Sequence, residues 1–127
     1  MTLDTWLANP SLPDEVFGAV GIVVTVEGVQ DFASVAEALE GQLTATVHTT
    51  APSDATVLKG LLPILERKAG RVLFNGFPTG VEVCDAMVHG GPYPATSDSR
   101  SASVGSTAIE RFLRPVCYQD LPAWLEG

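Results

Sequence analysis

A chain of 127 residues with 46% hydrophobic and 17% charged positions is the size of one domain, residues 1–127, with apolar material for a real core. Such apolarity has two readings, a generous core or apolar surface that lies against another chain. A net charge of −8 with no basic cluster disfavours nucleic acid and anionic membrane as partners.

Met1–Pro13 is short and punctuated, with Trp6 and Leu7 as an apolar point before Asn9-Pro10 and Leu12-Pro13. Asp14–Gly18 reads as a turn or short helix holding the carboxylate of Glu15. Val20–Val26 is almost continuously apolar and β-branched, the pattern of a strand buried on both faces, and Gly28 ends it. Val29–Leu39 carries one apolar stripe (Val29, Phe32, Val35, Ala36, Leu39) and predicts a helix, with Gly41 where a C-cap glycine belongs. Leu43–Thr49 alternates into a strand with threonines on one side. Ser53 or Asp54 is placed to cap a helix over Ala55–Lys68, striped by Val57, Leu58, Leu61, Leu62 and Leu65. Pro63 predicts a kink or break inside that helix. Gly70 ends it, and Arg71–Phe74 is a third strand.

After Phe74 comes turn chemistry, Asn75-Gly76, Pro78 and Gly80, then a long loop closed by Gly90-Gly91-Pro92. A loop of this length in a compact domain is usually functional or disordered, and Val81, Val83, Met87 and Val88 argue against disorder. It reads as the wall of a pocket. Pro92–Ser103 is a polar connector in which Asp98 and Arg100 are placed to form a local ion pair. Ser103 or Ser106 starts a helix through about Phe112, Pro115–Tyr118 reads as a final strand, and Leu121–Leu125 as a small apolar tail. Strands alternating with amphipathic helices predict an α/β fold: a parallel sheet with βαβ crossovers and helices packed on it, with Val20–Val26, Leu43–Val47 and Arg71–Phe74 as parallel neighbours. Cys84 and Cys117 lack metal-type spacing and are too few for a disulfide framework, so free thiols are expected. No run reaches the length of a membrane span and the N-terminus lacks a signal-peptide pattern, so the expected location is cytoplasmic.

The residues also carry a resemblance. Asn9–Gly18 (N-P-S-L-P-D-E-V-F-G) resembles the Asn-Pro…Glu-Glu-Val-Phe-Gly-Pro segment of aldehyde dehydrogenases, with Ala19 in place of the usual proline. Gly41–Thr49 resembles that family's Gly-Leu-Thr-Ala-Ser-Val-Phe strand, Gly70–Asn75 its Gly-x-Val-x-Val-Asn, and His89-Gly90-Gly91 its Pro-Phe-Gly-Gly. The wording of Gly70–Val83 and His89–Arg100 resembles the branch acting on α-ketoglutarate semialdehyde, usually with NADP. The resemblance runs from about Asn9 to Pro122, and four motifs in the right order make it specific.

The resemblance implies an oxidoreductase in which a cysteine attacks the aldehyde, hydride leaves to NAD or NADP, and a glutamate activates water. The family's Phe-x-x-x-x-Gly-Gln-x-Cys motif and its Gly-rich dinucleotide turn are not in this sequence, and neither cysteine has the nucleophile's neighbours. The chain therefore resembles the C-terminal part of an aldehyde dehydrogenase catalytic domain with its oligomerisation strand. It is expected to be inactive alone, with no catalytic residue and no metal site of its own and no tight cofactor binding. By resemblance Glu15 accepts hydrogen bonds from the nicotinamide ribose and Phe17 packs beside the nicotinamide. Phe77, Pro78, Thr79 and Val81 fall in the aldehyde pocket. His89 stands at its mouth, where an imidazole can meet a carboxylate-bearing aldehyde or simply cap the Gly90-Gly91 turn. The family's last strand, here Arg114–Tyr118, implies a homo-oligomer. The alternative reading is a non-catalytic binding or subunit-association module.

Overall fold

The computed structural model describes residues 1–50 and 52–125. Two parallel strands, β1 (Gln42–Val47) and β2 (Ala69–Phe74), are joined by a crossover helix, α3 (Ala55–Lys68), in a βαβ unit. Their register pairs Gln42 with Ala69, Thr44 with Arg71 and Val47 with Phe74. Helices α1 (Leu3–Leu7) and α2 (Phe32–Glu37) precede them, and α2 lies on α3. The stripe read from the sequence makes this contact. Ala36 of α2 meets Leu61 and Leu65 of α3, and Ala45, Val47, Ile64 and Val72 pack around them. Arg67 of α3 pairs with Glu37, and the Lys68 ammonium donates to the Glu37 carbonyl at 2.8 Å, supplying the cation that the C-terminal carbonyls of α2 favour.

The chain is mixed α/β as predicted, but the sheet is narrower. Val20–Val26 forms no strand. Thr25 makes one isolated bridge to Thr2, the Met1 amine donates to the Val23 carbonyl at 2.7 Å, and Val23 is 75% exposed. A run apolar on both sides becomes a strand when layers cover both faces, and here Val20, Ile22 and Val23 are exposed and Val24 and Val26 only half-buried. Arg114–Tyr118 and the shorter Pro115–Tyr118 likewise form no strand: Val116 and Tyr118 are exposed, and among the described residues no strand pairs with them.

Smaller expectations also change. Helix α3 passes through Pro63 unbroken, because Pro63 faces solvent, where water can meet the Lys59 carbonyl that lost its donor. Neither Ser53 nor Asp54 caps α3 with its side chain; a 3-10 turn over Pro52–Asp54 leads in, and Asp54 accepts from the Thr49 hydroxyl instead. Helix α2 ends at Glu37 with Ala38 as its C-cap, so Gly41 is not its cap, and Gly70 lies within β2 rather than ending α3. Both glycines permit close backbone approach. A Cβ on Gly41 would overlap the carbonyls of Pro92 and Tyr93, and one on Gly70 would lie 2.6 Å from the Gly90 carbonyl carbon. The helix after the connector is a 3-10 helix, Ser106–Phe112, and the predicted tail holds another, Ala123–Leu125.

Few side chains are buried: Trp6, Ala36, Leu61, Leu65, Ala69 and Ala102 among the apolar ones. The accessible surface is 9445 Å². A compact chain of 13.3 kDa is expected to expose about 6,450 Å², so about 3,000 Å² is in excess. Val16, Phe17, Val20, Val23, Phe112 and Trp124 are among the exposed large apolar side chains. Of the two readings of the composition, apolar surface rather than a generous core describes the fold.

Candidate functional site

The long loop starts where β2 ends. Asn75 adopts a left-handed conformation (φ 53°), which asparagine tolerates. Its N–H donates to the Val47 carbonyl at 2.9 Å and its Oδ1 accepts from the Thr49 N–H at 2.8 Å, so it ties together the exits of both strands. Phe77 follows, 78% exposed, with its ring 5.7 Å from that of His48. The loop then runs back along β2. Arg71, at the middle of that strand, donates to the Pro78 carbonyl at 3.2 Å and the Gly80 carbonyl at 2.8 Å, and its Nη1 also approaches Met87 Sδ at 3.6 Å. At the start of β2 the loop closes: Gly90 and Gly91 cross against Gly70 and the Gln42 carbonyl. One guanidinium and one glycine crossing thus hold an otherwise irregular segment.

Phe77, Pro78, Thr79 and Val81 all lie on this exposed stretch. His89 sits at the other end. It is half-buried, its carbonyl accepts from the Ser103 N–H at 2.9 Å and the Ser103 hydroxyl at 3.0 Å, and its Nδ1 is buried with no hydrogen-bond partner. It lines a cavity of about 250 Å³ with Leu43, Thr96, Ser101, Ser103 and Arg111. Glu15 lines a larger neighbouring cavity, about 450 Å³, with Asp14, Glu40, Thr44 and Pro94. The two cavities share Leu43 and Ala95. Phe17, two residues after Glu15, is 93% exposed.

Glu15 and His89 are therefore brought to one side, at the N-terminal ends of the strands. Phe77 lies beyond the opposite ends, about 16 Å away along a six-residue strand. Cys84 contributes its carbonyl, which accepts from the N–H groups of Met87 (3.2 Å) and Ser106 (3.3 Å), while its thiol is free and half-buried. Cys117 is free and exposed, as expected of thiols without a framework. The Asp98–Arg100 pair forms at 3.7 Å, and the Arg100 backbone N–H, 3.1 Å from Oδ1, is the main cause that holds the Asp98 carboxyl below its ordinary range. Two functional candidates escaped the sequence reading. Arg71 was signalled only as a lone cation in an apolar strand, and Arg111 only as one charge on an amphipathic helix.

No group of three or more His, Cys, Asp or Glu side chains able to hold a metal occurs among the described residues, and no helix among them is long and apolar enough to cross a membrane. The ordered motifs from Asn9 to Gly91 are those by which the chain resembles aldehyde dehydrogenases. Comparison with known proteins makes the likeness particular. The chain is 62% identical over 117 residues to alpha-ketoglutaric semialdehyde dehydrogenase 2 of Azospirillum brasilense, a match covering 92% of this chain and 22% of that protein. It is 63% identical over 112 residues to alpha-ketoglutaric semialdehyde dehydrogenase of Acinetobacter baylyi, covering 88% of this chain and 21% of that one. The chain thus spans about a fifth of the length of the curated relatives it matches. No family model matches it.

Proposed function

We propose that this chain is the C-terminal portion of the catalytic machinery of an NAD- or NADP-dependent aldehyde dehydrogenase that oxidises α-ketoglutarate semialdehyde, a carboxylate-bearing aldehyde, to the acid. The observation that carries the reading is identity of 62–63% along most of the chain to two proteins bearing that activity in their names. In it, Glu15 accepts hydrogen bonds from the nicotinamide ribose hydroxyls, Phe17 covers the nicotinamide, and Phe77, Pro78, Thr79 and Val81 wall the aldehyde pocket, while His89, at the other end of the strands, stands apart from that wall and lies against Ser103. The cofactor would supply a hydride acceptor. The residues present fit only its sugar end. The cavity at Glu15 is ringed by Asp14, Glu15 and Glu40, which suit hydroxyl donors and repel a pyrophosphate. The chain by itself is therefore expected to be inactive and to bind neither NAD nor NADP tightly. A cytoplasmic location accords with the reading.

A chimera tests it. The chain replaces the corresponding segment of the Azospirillum brasilense relative, and reduced nicotinamide is followed by absorbance. Turnover of α-ketoglutarate semialdehyde within about tenfold of the parent is expected, with Glu15→Gln raising KM for the cofactor and Phe77→Ala or Val81→Ala raising KM for the aldehyde. A well-folded chimera that oxidises simple aliphatic aldehydes but not this one would refute the reading. The 127-residue chain alone should show no turnover with either nicotinamide.

One observation favours a second role, subunit association. An excess of about 3,000 Å² over the surface of a compact chain exceeds the roughly 800 Å² that each partner buries in a standard interface. Arg114–Tyr118, exposed and without a strand partner among the described residues, is the segment through which a homo-oligomer would form.

A further inference from the structure

Strand β2 carries a single charged residue, Arg71, ahead of the apolar run Val72, Leu73 and Phe74. Packing of the strand does not call for a cation there. The Arg71 Nε–H is buried and meets no acceptor, and neither ion pair among the described residues includes this side chain. Its remaining donors go to neutral groups: Nη2 to the Pro78 carbonyl at 3.2 Å, Nη1 to the Gly80 carbonyl at 2.8 Å and to Met87 Sδ at 3.6 Å. A buried donor left without a partner in a short strand is a local conflict of the kind that marks a functional requirement.

The guanidinium brackets one residue. The two carbonyls it holds flank Thr79, whose own N–H and hydroxyl have no partner among the described residues. A planar fork fixes both the spacing and the direction of two acceptors, which an ammonium on a flexible stem does not. The neighbouring residue has its own support, because the Phe77 ring lies 5.7 Å from that of His48 at 52°, within the range of a favourable aromatic contact. The stretch belongs to no helix or strand, so without the fork its carbonyls turn to water and it samples many shapes. Apparent affinity then falls by the fraction of time that the receptive shape is populated.

We propose that Arg71 is a positioning residue for aldehyde binding: by anchoring the carbonyls on either side of Thr79, it holds the Phe77–Val81 wall in the shape that receives the substrate. The inference rests on the reading of Phe77, Pro78, Thr79 and Val81 as that wall, and it adds the residue that sets the wall's geometry. The test uses the chimera and the 127-residue chain. In the chimera, Arg71→Met should raise KM for α-ketoglutarate semialdehyde about tenfold or more, with kcat lowered by less than about threefold, the pattern of lost binding rather than lost chemistry. Arg71→Lys keeps the charge but cannot span both carbonyls, so it should recover only a minor part of the loss; full recovery would make charge rather than the fork responsible and overturn the proposal. Lys59→Met, which removes an exposed cation of α3, should change neither constant. In the ¹⁵N-labelled chain, Arg71→Met should lower the heteronuclear NOE at Thr79, Gly80 and Val81 and leave β1 and α3 unchanged, which also shows that the variant folds. A well-folded unmutated chimera with no activity on this aldehyde would sink the functional reading and this proposal together. An active chimera whose KM is unmoved by Arg71→Met, or Thr79–Val81 amides as rigid without the guanidinium as with it, would overturn this proposal alone.

Discussion

Replacing Gly70 by alanine strikes the crossing on which the loop closes. The new Cβ would overlap the Gly90 carbonyl oxygen and lie 2.6 Å from the Gly90 carbonyl carbon and 2.9 Å from Gly91 Cα. Every neighbour is backbone, so no rotamer relieves the overlap. Carbon–carbon contact is comfortable at about 3.5–4.0 Å, which requires the loop and β2 to part by roughly 1 Å. Overpacking of this kind costs about 1–3 kcal/mol, and with no side chain able to yield the upper half is expected. At a urea dependence near 2 kcal/mol per molar, that lowers the unfolding midpoint by roughly 1–1.5 M, read by circular dichroism. Gly60→Ala is the control. Gly60 is exposed in the interior of α3 with nothing within 4 Å of an added Cβ, so the same chemical change should stabilise by about 0.5–1 kcal/mol. Equal effects of the two substitutions, or a Gly70→Ala midpoint within about 0.3 M of the parent by that relation, would refute the argument that the crossing is a close backbone contact.

Other expectations concern single interactions. Light scattering at tens of micromolar, a concentration that matters for any mass-action equilibrium, should show a dimer or larger that Val116→Lys with Tyr118→Lys weakens; a monomer would remove the association role. Arg71→Met should speed cleavage after Glu82 by on the order of tenfold or more, because each hydrogen bond to a charged donor contributes about 1.5–3 kcal/mol; unchanged cleavage would mean the guanidinium does not hold the loop. Asp98, held low chiefly by the Arg100 backbone N–H, should titrate by carbon-13 NMR below an aspartate in a short peptide. Because its folded pKa is the lower one, its contribution is present above the unfolded pKa and lost as pH falls through the folded value, so Asp98→Asn should flatten that acid limb. A midpoint at or above the peptide's would contradict the hydrogen bond.

The α3 stripe and part of the α2 stripe were legible, because helical periodicity states which face is turned inward: Ala36, Leu61 and Leu65 form the core, while Val29 and Phe32 of the expected α2 stripe are exposed. The two strands flanking α3 were legible for the same local reason. The motifs from Asn9 to Gly91 likewise named the kin of this chain before its fold was known. Val20–Val26 shows the limit. Its composition states that both faces want cover, and no local rule states whether cover is present; in the fold it lies exposed. Glycine carried a similar ambiguity, since Gly41 and Gly70 fit helix ends in sequence and are close backbone contacts in space. The grouping of His89 with Arg111, and of Glu15 with Glu40, belongs to tertiary structure alone. Those residues are separated along the chain, and the charge of a cavity is set by which side chains the packing of distant segments leaves facing it.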